Sequence, residues 1–444
     1  MLSNVKAYVE NKLVDCSLAV EQGGIFKIGK ETNMPKASVK IDLPKLLVLP
    51  GLIDAHVHLR DEEKAHKEDF HSGTAAAAAG GFTTVLDMPN NQPVTMCPEA
   101  IRNRMKTAET KIVTNVAFYS EFPKNTSEID GIVKAGAIAF KLFMSEQIGG
   151  LNIDDDQALL EGFKILSGLD VLIAVHAEDK AAIMAAKKRL KHNGHNSIDA
   201  FLVAHSEDVE VKAVRRILRV VKQAKARVHF CHVSTKKGLD MICSRKKSSK
   251  SVTCEATPHH LFLSVENLRK TGTTAIMTPP LREKPHVTAL WNGVKNGCVD
   301  IVASDHAPHG LEEKNAKAIW DVKVGIPGLE TTLPLLLTAV KKRQLSLLDV
   351  VRLMAERPAE IFGLRTKGFL REGNDADLTI VDLNKKHKID VLFFKSKAKY
   401  SPFDGYDVIG GPVKTFVNGL LVMDDGEIVA KAGCGRVIRR QNSL

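Results

Sequence analysis

The stretch "GLIDAHVHLRD", Gly51–Asp61, decides how the rest of the chain is read. Leu52, Ile53, Ala55 and Val57 form an apolar run of the kind that makes a buried strand. Residues two apart on a strand point the same way. His56 and His58 therefore project together from one face, with Arg60 two places further on. The structural alternative is a pair of ordinary histidines near a strand end, so the choice falls to the remaining sequence.

Seven further apolar runs follow: "FTTVLDM" (82–88), "IVTNVAFY" (112–119), "AIAFKLFM" (137–144), "DVLIAVHAE" (170–178), "ARVHFCHVS" (226–234), "SVTCEAT" (251–257) and "VDIVASDH" (299–306). Between several of them lie helix-like segments such as "HSGTAAAAAGG" (71–81) and "DVEVKAVRRILRVVKQAKA" (208–226). Alternating strands and helices imply a parallel sheet. Eight such strands suggest a closed (β/α)8 TIM-like barrel over residues 51–365, with chemistry at the C-terminal strand ends. The flanks differ. Residues 1–50 and 366–444 carry short strand-like pieces such as "KAYVENKLV", "GGIFKIGK" and "GFLREGNDADLTIVDL", broken by turns. Neither flank has enough apolar surface for a core of its own. The two ends are expected to pair into one small composite β-sandwich domain beside the barrel.

Bulk properties narrow the classes. Of 444 residues, 44% are hydrophobic and 26% charged, an ordinary soluble composition. No apolar run approaches the ~20 residues that span a bilayer, and the start lacks the shape of a secretory signal. A cytoplasmic location without membrane association is the expectation. The net charge of +11 comes from 63 basic and 52 acidic residues. Basic clusters at "SRKKSSKS" (244–251), "NKKHK" (384–388) and "RVIRR" (436–440) have no interleaved aromatics and no nucleic-acid motif. They read as solvated surface rather than a nucleic-acid site. The seven cysteines show no Cys-x-x-Cys and are expected to be reduced thiols, mostly small core residues.

The strand ends collect polar residues. The first carries His56 and His58, the fourth Lys141, the fifth His176, the sixth His232 and the eighth Asp305. Six such residues on one rim are hard to explain as core packing. Imidazole and carboxylate suit Zn²⁺ or a similar divalent metal. Lys141 interrupts an apolar run. Burial disfavours a charged amine, and a neutral amine can combine with carbon dioxide to give a carbamate with two oxygens. The alternative is a lysine that snorkels outward or pairs with a carboxylate.

"PGLIDAHVHLR", "FKLFMS", "VHAED", "HVST" and "SDHAPH", in this order, resemble the amidohydrolase superfamily in its cyclic-amidase branch. The resemblance extends to "GNDADLTIVDL" and "PVKTFVNG". It implies that His56, His58 and Asp305 bind one metal and that His176 and His232 bind a second. A carboxylated Lys141 and a hydroxide would bridge two Zn²⁺ ions, with no organic cofactor. The branch includes dihydroorotases, allantoinases, hydantoinases (dihydropyrimidinases) and non-catalytic relatives.

Arg60, Asn90 of "DMPNNQP" (87–93) and His309 of "SDHAPH" resemble the carboxylate clamp of the dihydroorotases. Arg60 offers a planar fork suited to a carboxylate. Taken singly, Arg60 could instead pair with Asp61 or Glu62, and Asn90 could be a turn cap. "TPPLREK" (278–284) and "GIPGLETTLPLLLT" (325–338) add to the resemblance. Two departures are "DEEKAHKEDF" (61–70), where many relatives have Pro-Gly, and Thr278, where many have Asn. The implied reaction is the reversible cyclisation of N-carbamoyl-L-aspartate to dihydroorotate in pyrimidine biosynthesis. Asp305 would exchange a proton between the hydroxide and the ring nitrogen. An allantoinase or hydantoinase is the alternative enzyme reading, and a non-catalytic assembly partner the other. A homo-oligomer is compatible with the sequence. The segment "MSEQIGGLN" (144–152) is a candidate for movement over the site.

Overall fold

A computed structural model of the chain describes residues 1–440, so the last four residues of the C-terminal flank lie outside it. Eight parallel strands follow one another around a barrel: β1 (Leu52–Val57), β2 (Phe82–Asp87), β3 (Asn115–Glu121), β4 (Ala139–Phe143), β5 (Ile173–His176), β6 (Val228–Phe230), β7 (Val252–Ala256) and β8 (Ile301–Val302). A parallel bridge between Val57 and His306 brings the first and last strands together, and the His58 N–H donates to the His306 carbonyl at 2.8 Å. All eight strands are buried on both faces, as a parallel sheet wrapped in helices requires. The expected barrel is the observed one.

Period-two alternation positions the chemistry. In β4, Phe140 and Leu142 pack outward among the helices, whereas Ala139 joins the cluster with Ala55, Ala117, Tyr119 and Ala174. Lys141 is the next residue on the Ala139 side. In β5, Ile173 and Val175 join the outer cluster, and His176 follows Ala174 by two. The small residues of the helix Phe70–Ala79 allow close packing. A Cβ on Gly80 would stand 2.2 Å from the Leu329 carbonyl oxygen at the start of the helix Leu329–Lys341.

Both chain ends build the second unit. Leu47–Pro50 pairs in parallel with Leu2–Val9 on one side and antiparallel with Leu378–Lys388 on the other. The result is one nine-stranded mixed sheet. Its core draws Leu2, Val5 and Val48 from the N-terminal flank and Leu378, Ile380 and Phe416 from the C-terminal flank. This supports the expectation that neither flank closes a core alone. Val437–Ile438 departs from that sheet and pairs in parallel with the barrel strand β3.

The cysteine expectation needs correction. Cys243 and Cys298 form a disulfide with Cα atoms 5.5 Å apart, while Cys16, Cys97, Cys231, Cys254 and Cys434 are free. The bridge spans 55 residues of sequence. Only the packing of the helix Lys236–Lys246 against the helix Lys284–Lys295 brings the two thiols together. Among the described residues no helix is long and apolar enough to cross a membrane.

Candidate metal centre and anion pocket

His56 Nε2 and His58 Nε2 lie 3.2 and 3.3 Å from the same Asp305 oxygen. The other nitrogen of each ring is already committed. His56 Nδ1 donates to Glu255 Oε1, and His58 Nδ1 donates to Asn90 Oδ1 at 2.7 Å. Both Nε2 atoms therefore present lone pairs to a carboxylate oxygen, with no proton between them. Three acceptors converging in a buried site need a cation. Ligands bound tetrahedrally at ~2.0–2.1 Å would be about 3.3 Å apart, so the donor set fits a divalent metal.

His176 and His232 form the adjoining group. His176 donates through Nε2 to Glu178 at 2.9 Å, leaving its Nδ1 facing His232 Nε2 at 3.0 Å. The rings of His56 and His232 are 5.3 Å apart, which joins the two groups into one cluster. His56, His232 and Asp305 alone bring three donor atoms within 4.8 Å of one another. Burial lowers the pKa of His56. Burial and Arg60 push His58 well below the ordinary histidine value, and burial and His176 do the same to His232. Neutral imidazole is the form that binds metal. Burial raises the Asp305 carboxyl, and His56 and Lys141 oppose that rise.

Lys141 neither snorkels outward nor pairs with a carboxylate. It is fully buried, its Nζ donates to Cys231 Sγ at 3.1 Å, and it stands 5.0 Å from the Phe143 ring centroid. Cys231 Sγ lies within 4.8 Å of donor atoms of His56 and Glu255, so the Nζ contact puts Lys141 beside the same cluster.

Two glutamates escaped the sequence reading. Glu255 on β7 accepts from His56, from His229 Nε2 at 3.0 Å and from the His232 N–H at 3.0 Å. Glu178 accepts from His176 and from His205 Nδ1, both at 2.9 Å. Burial raises each carboxyl, but the neighbouring histidines outweigh it and hold both well below the usual carboxylate range. Such carboxylate–imidazole bonds fix the tautomer and aim of a ligand ring. The available signal was an acidic residue inside the apolar run "TCEAT", parallel to the lysine in "FKLF". Replacing His58 by alanine is expected to lower bound metal per chain and abolish catalysis together. Metal analysis beside activity tests this, and full activity with undiminished metal would exclude the assignment.

Arg60 and Asn90 line the cleft above this cluster together with Ser145, Glu146, Thr278 and Gly325. The local ion-pair alternative for Arg60 is not what forms. Asp61 takes Lys111 at 2.8 Å, and Glu62 takes Arg104 at 2.9 Å. Arg60 is 5% exposed, and its Nε has no hydrogen-bond partner. Its Nη2 lies 3.4 Å from His309 Nε2. Arg60, Asp61 and Glu62 all hold positive φ, at 59°, 59° and 50°. Left-handed backbone at three successive non-glycine residues is strained. That turn carries the Arg60 side chain into the cleft. Asn90 lines the cleft beside Arg60 and also holds His58 through its oxygen, so one member of the expected trio orients a ring as well. His309 stands behind Arg60, beside the Val324 carbonyl.

The far wall of the cleft is fastened by Lys314. Its buried ammonium donates to the carbonyls of Ile276, Lys323 and Gly325 at 2.7, 2.9 and 2.9 Å. Gly325 has φ +138°, and a Cβ there would lie 2.4 Å from the Ala307 carbonyl oxygen. Lys314→Met would remove a donor from three buried carbonyls, of which Ile276 keeps the Gly325 N–H and Gly325 keeps the Tyr400 hydroxyl, and is expected to cost about 2–4 kcal/mol. Denaturant unfolding measures this, and an unchanged midpoint would contradict it.

The sequence pattern of the Amidohydrolase family matches residues 47–422. A parallel barrel whose strand ends gather four histidines, a lysine and an aspartate is the architecture that this match covers, and the chain belongs to that family. It is 41% identical to a dihydroorotase of Methanothermobacter thermautotrophicus, over 97% of this chain and 96% of that protein. It is 33% identical to an L-hydantoinase of Paenarthrobacter aurescens, over 100% of this chain and 98% of that one. Among solved structures it resembles the L-hydantoinase (dihydropyrimidinase) of Arthrobacter aurescens, with a TM-score of 0.95 and 33% identity over 99% of both chains.

Proposed function

We propose that this chain is a dihydroorotase, a cyclic amide hydrolase acting reversibly between dihydroorotate and N-carbamoyl-L-aspartate. The observation that carries this reading is the buried Arg60. Among the described residues its guanidinium has no carboxylate partner, and it faces the cleft beside the histidine cluster. A buried, unpaired cation is costly, and an anionic ligand would relieve that cost. Dihydroorotate carries a ring carboxylate; hydantoin and allantoin do not. The 41% identity to a dihydroorotase supports the same substrate.

His56, His58 and Asp305 would hold one divalent ion, and His176 and His232 the other, with Lys141 between them as its carbamate. Bound there, such ions supply Lewis acidity toward the ring carbonyl and lower the pKa of water. Glu255 and Asn90 aim the imidazoles of His56 and His58, and Glu178 aims that of His176. Arg60 binds and orients the substrate carboxylate, placing the ring amide over the cluster. Asp305 accepts a proton on its carboxylate and delivers it to the departing ring nitrogen. In the cyclising direction it takes that proton back from the ureido nitrogen, as microscopic reversibility requires.

The test is hydrolysis of dihydroorotate, hydantoin and allantoin by zinc-loaded protein. Selective turnover of dihydroorotate is the expected result. The similarity to L-hydantoinases in sequence and structure favours a second reading, in which only an uncharged ring is turned over. That outcome would keep the metal centre and overturn the substrate.

A further inference from the structure

The segment "DEEKAHKEDF" (61–70) places Lys67 behind the anion pocket. Lys67 Nζ lies 3.2 Å from His309 Nδ1 and 2.7 Å from Glu313 Oε1. On the other side of the imidazole, Nε2 is 3.0 Å from the Val324 carbonyl oxygen. An ammonium can only donate, and a carbonyl can only accept. Both contacts therefore demand the same tautomer, with Nδ1 bare and the proton on Nε2. That Nε2–H lies 3.4 Å from Arg60 Nη2, itself a donor. Two donor edges then stand side by side, and the Arg60 Nε between protein walls has no acceptor. The Nε2 proton is committed to Val324, so the ring cannot accept from Arg60, and an anionic oxygen is the group to which the Arg60 edge would donate.

We propose that Lys67 is a positioning residue that locks His309 as the neutral Nε2–H tautomer bonded to the Val324 carbonyl, so that the ring cannot take up an Arg60 N–H and Arg60 stays free for the substrate carboxylate. The identity of that carboxylate rests on the dihydroorotase reading; the tautomer does not. The groups facing the imidazole agree. Burial, then Arg60, Lys67 and Lys314, hold its pKa far below the ordinary histidine value and so exclude imidazolium. Glu313 is the competitor. Its Oε2 lies 3.5 Å from Nδ1 and is already occupied by the Gly310 N–H at 2.9 Å. Without the Lys67 ammonium, Glu313 would be the polar group left facing Nδ1. A carboxylate only accepts, so it would draw a proton onto that nitrogen.

The experiment is two-bond ¹H–¹⁵N spectroscopy of histidine-labelled, metal-loaded protein without substrate, with His309→Gln to assign the resonance. In the wild type the ring proton is expected on Nε2 alone. In Lys67→Met a proton is expected on Nδ1, and Lys67→Arg should restore the wild-type pattern. Kinetics on dihydroorotate supply the second readout. Lys67→Met should raise KM about tenfold, the effect of one charge-assisted hydrogen bond, with kcat and metal content nearly unchanged. A protonated Nδ1 in the wild type, or an unaltered tautomer in Lys67→Met, would overturn the proposal. So would a fall in kcat with KM unchanged. If the wild type does not turn over dihydroorotate, the substrate reading fails, and the ring-proton result still decides the role of Lys67.

Discussion

Replacing Lys141 by alanine is expected to abolish turnover, with part of it returning when acetate or propionate is added. The argument starts from the side chain's surroundings. A fully buried lysine ordinarily has a carboxylate partner, yet among the described residues Lys141 forms no ion pair with a carboxylate, and its Nζ donates to the Cys231 thiol near the Phe143 ring. Loss of one proton from the ammonium exposes the amine lone pair, and its reaction with carbon dioxide forms an N–C bond and releases a second N–H proton. The cation becomes an anion with two oxygens, placed among imidazoles that offer lone pairs. Alanine removes that anion and leaves a space that a small carboxylate can fill. Because the carbamate would hold both ions, activity is expected to fall by at least about 10³-fold, comparable to the loss of a preorganised electrostatic group. Activity assays and metal analysis across a carboxylate concentration series measure the effect. An active variant, or an inactive one indifferent to carboxylates despite retaining its fold, would argue against the carbamate.

Arg60→Met is expected to lower kcat/KM for dihydroorotate by about 10²–10³-fold, corresponding to loss of a bidentate charge-assisted pair. Metal content should stay intact, because Arg60 approaches His309 and the cleft rather than the converging lone pairs. Turnover of an uncharged cyclic amide, where detectable, should change far less. The comparison separates a carboxylate anchor from a general structural arginine, which would affect all substrates and the folding midpoint alike. The partners of the adjacent acids favour the anchor. Asp61 and Glu62 are engaged by Lys111 and Arg104, so neither neutralises Arg60. Unchanged dihydroorotate kinetics would remove the main support for this substrate.

Much of the architecture was legible because strand and helix periodicities are local. Eight apolar runs alternating with helical segments imply a parallel barrel, and period two alone places Lys141 on the Ala139 face and His176 on the Ala174 face. The two polar, turn-broken flanks announced a shared sheet because each lacked a core. The rim residues were visible for the same reason: a charged or imidazole side chain at the end of an apolar run is a local anomaly.

What only the tertiary structure decided are contacts across strands and loops, where sequence distance says nothing about spatial distance. Glu255 meets His56 across 199 residues and His309 meets Lys67 across 242. Glu255 looked like one more acid in a strand, and Lys67 like one more surface charge in a run of charges. Cys243 and Cys298 looked like two core thiols until neighbouring helices aligned them. Asn90 lines the cleft as the clamp reading expects, and only the packed structure shows that its oxygen also holds His58. The amino-acid sequence thus determined which side chains reach the barrel mouth, through backbone periodicity. The packed structure decided which atom of each faces which partner, because hydrogen-bond direction is set by donors and acceptors that only the closed barrel brings within 3 Å or so.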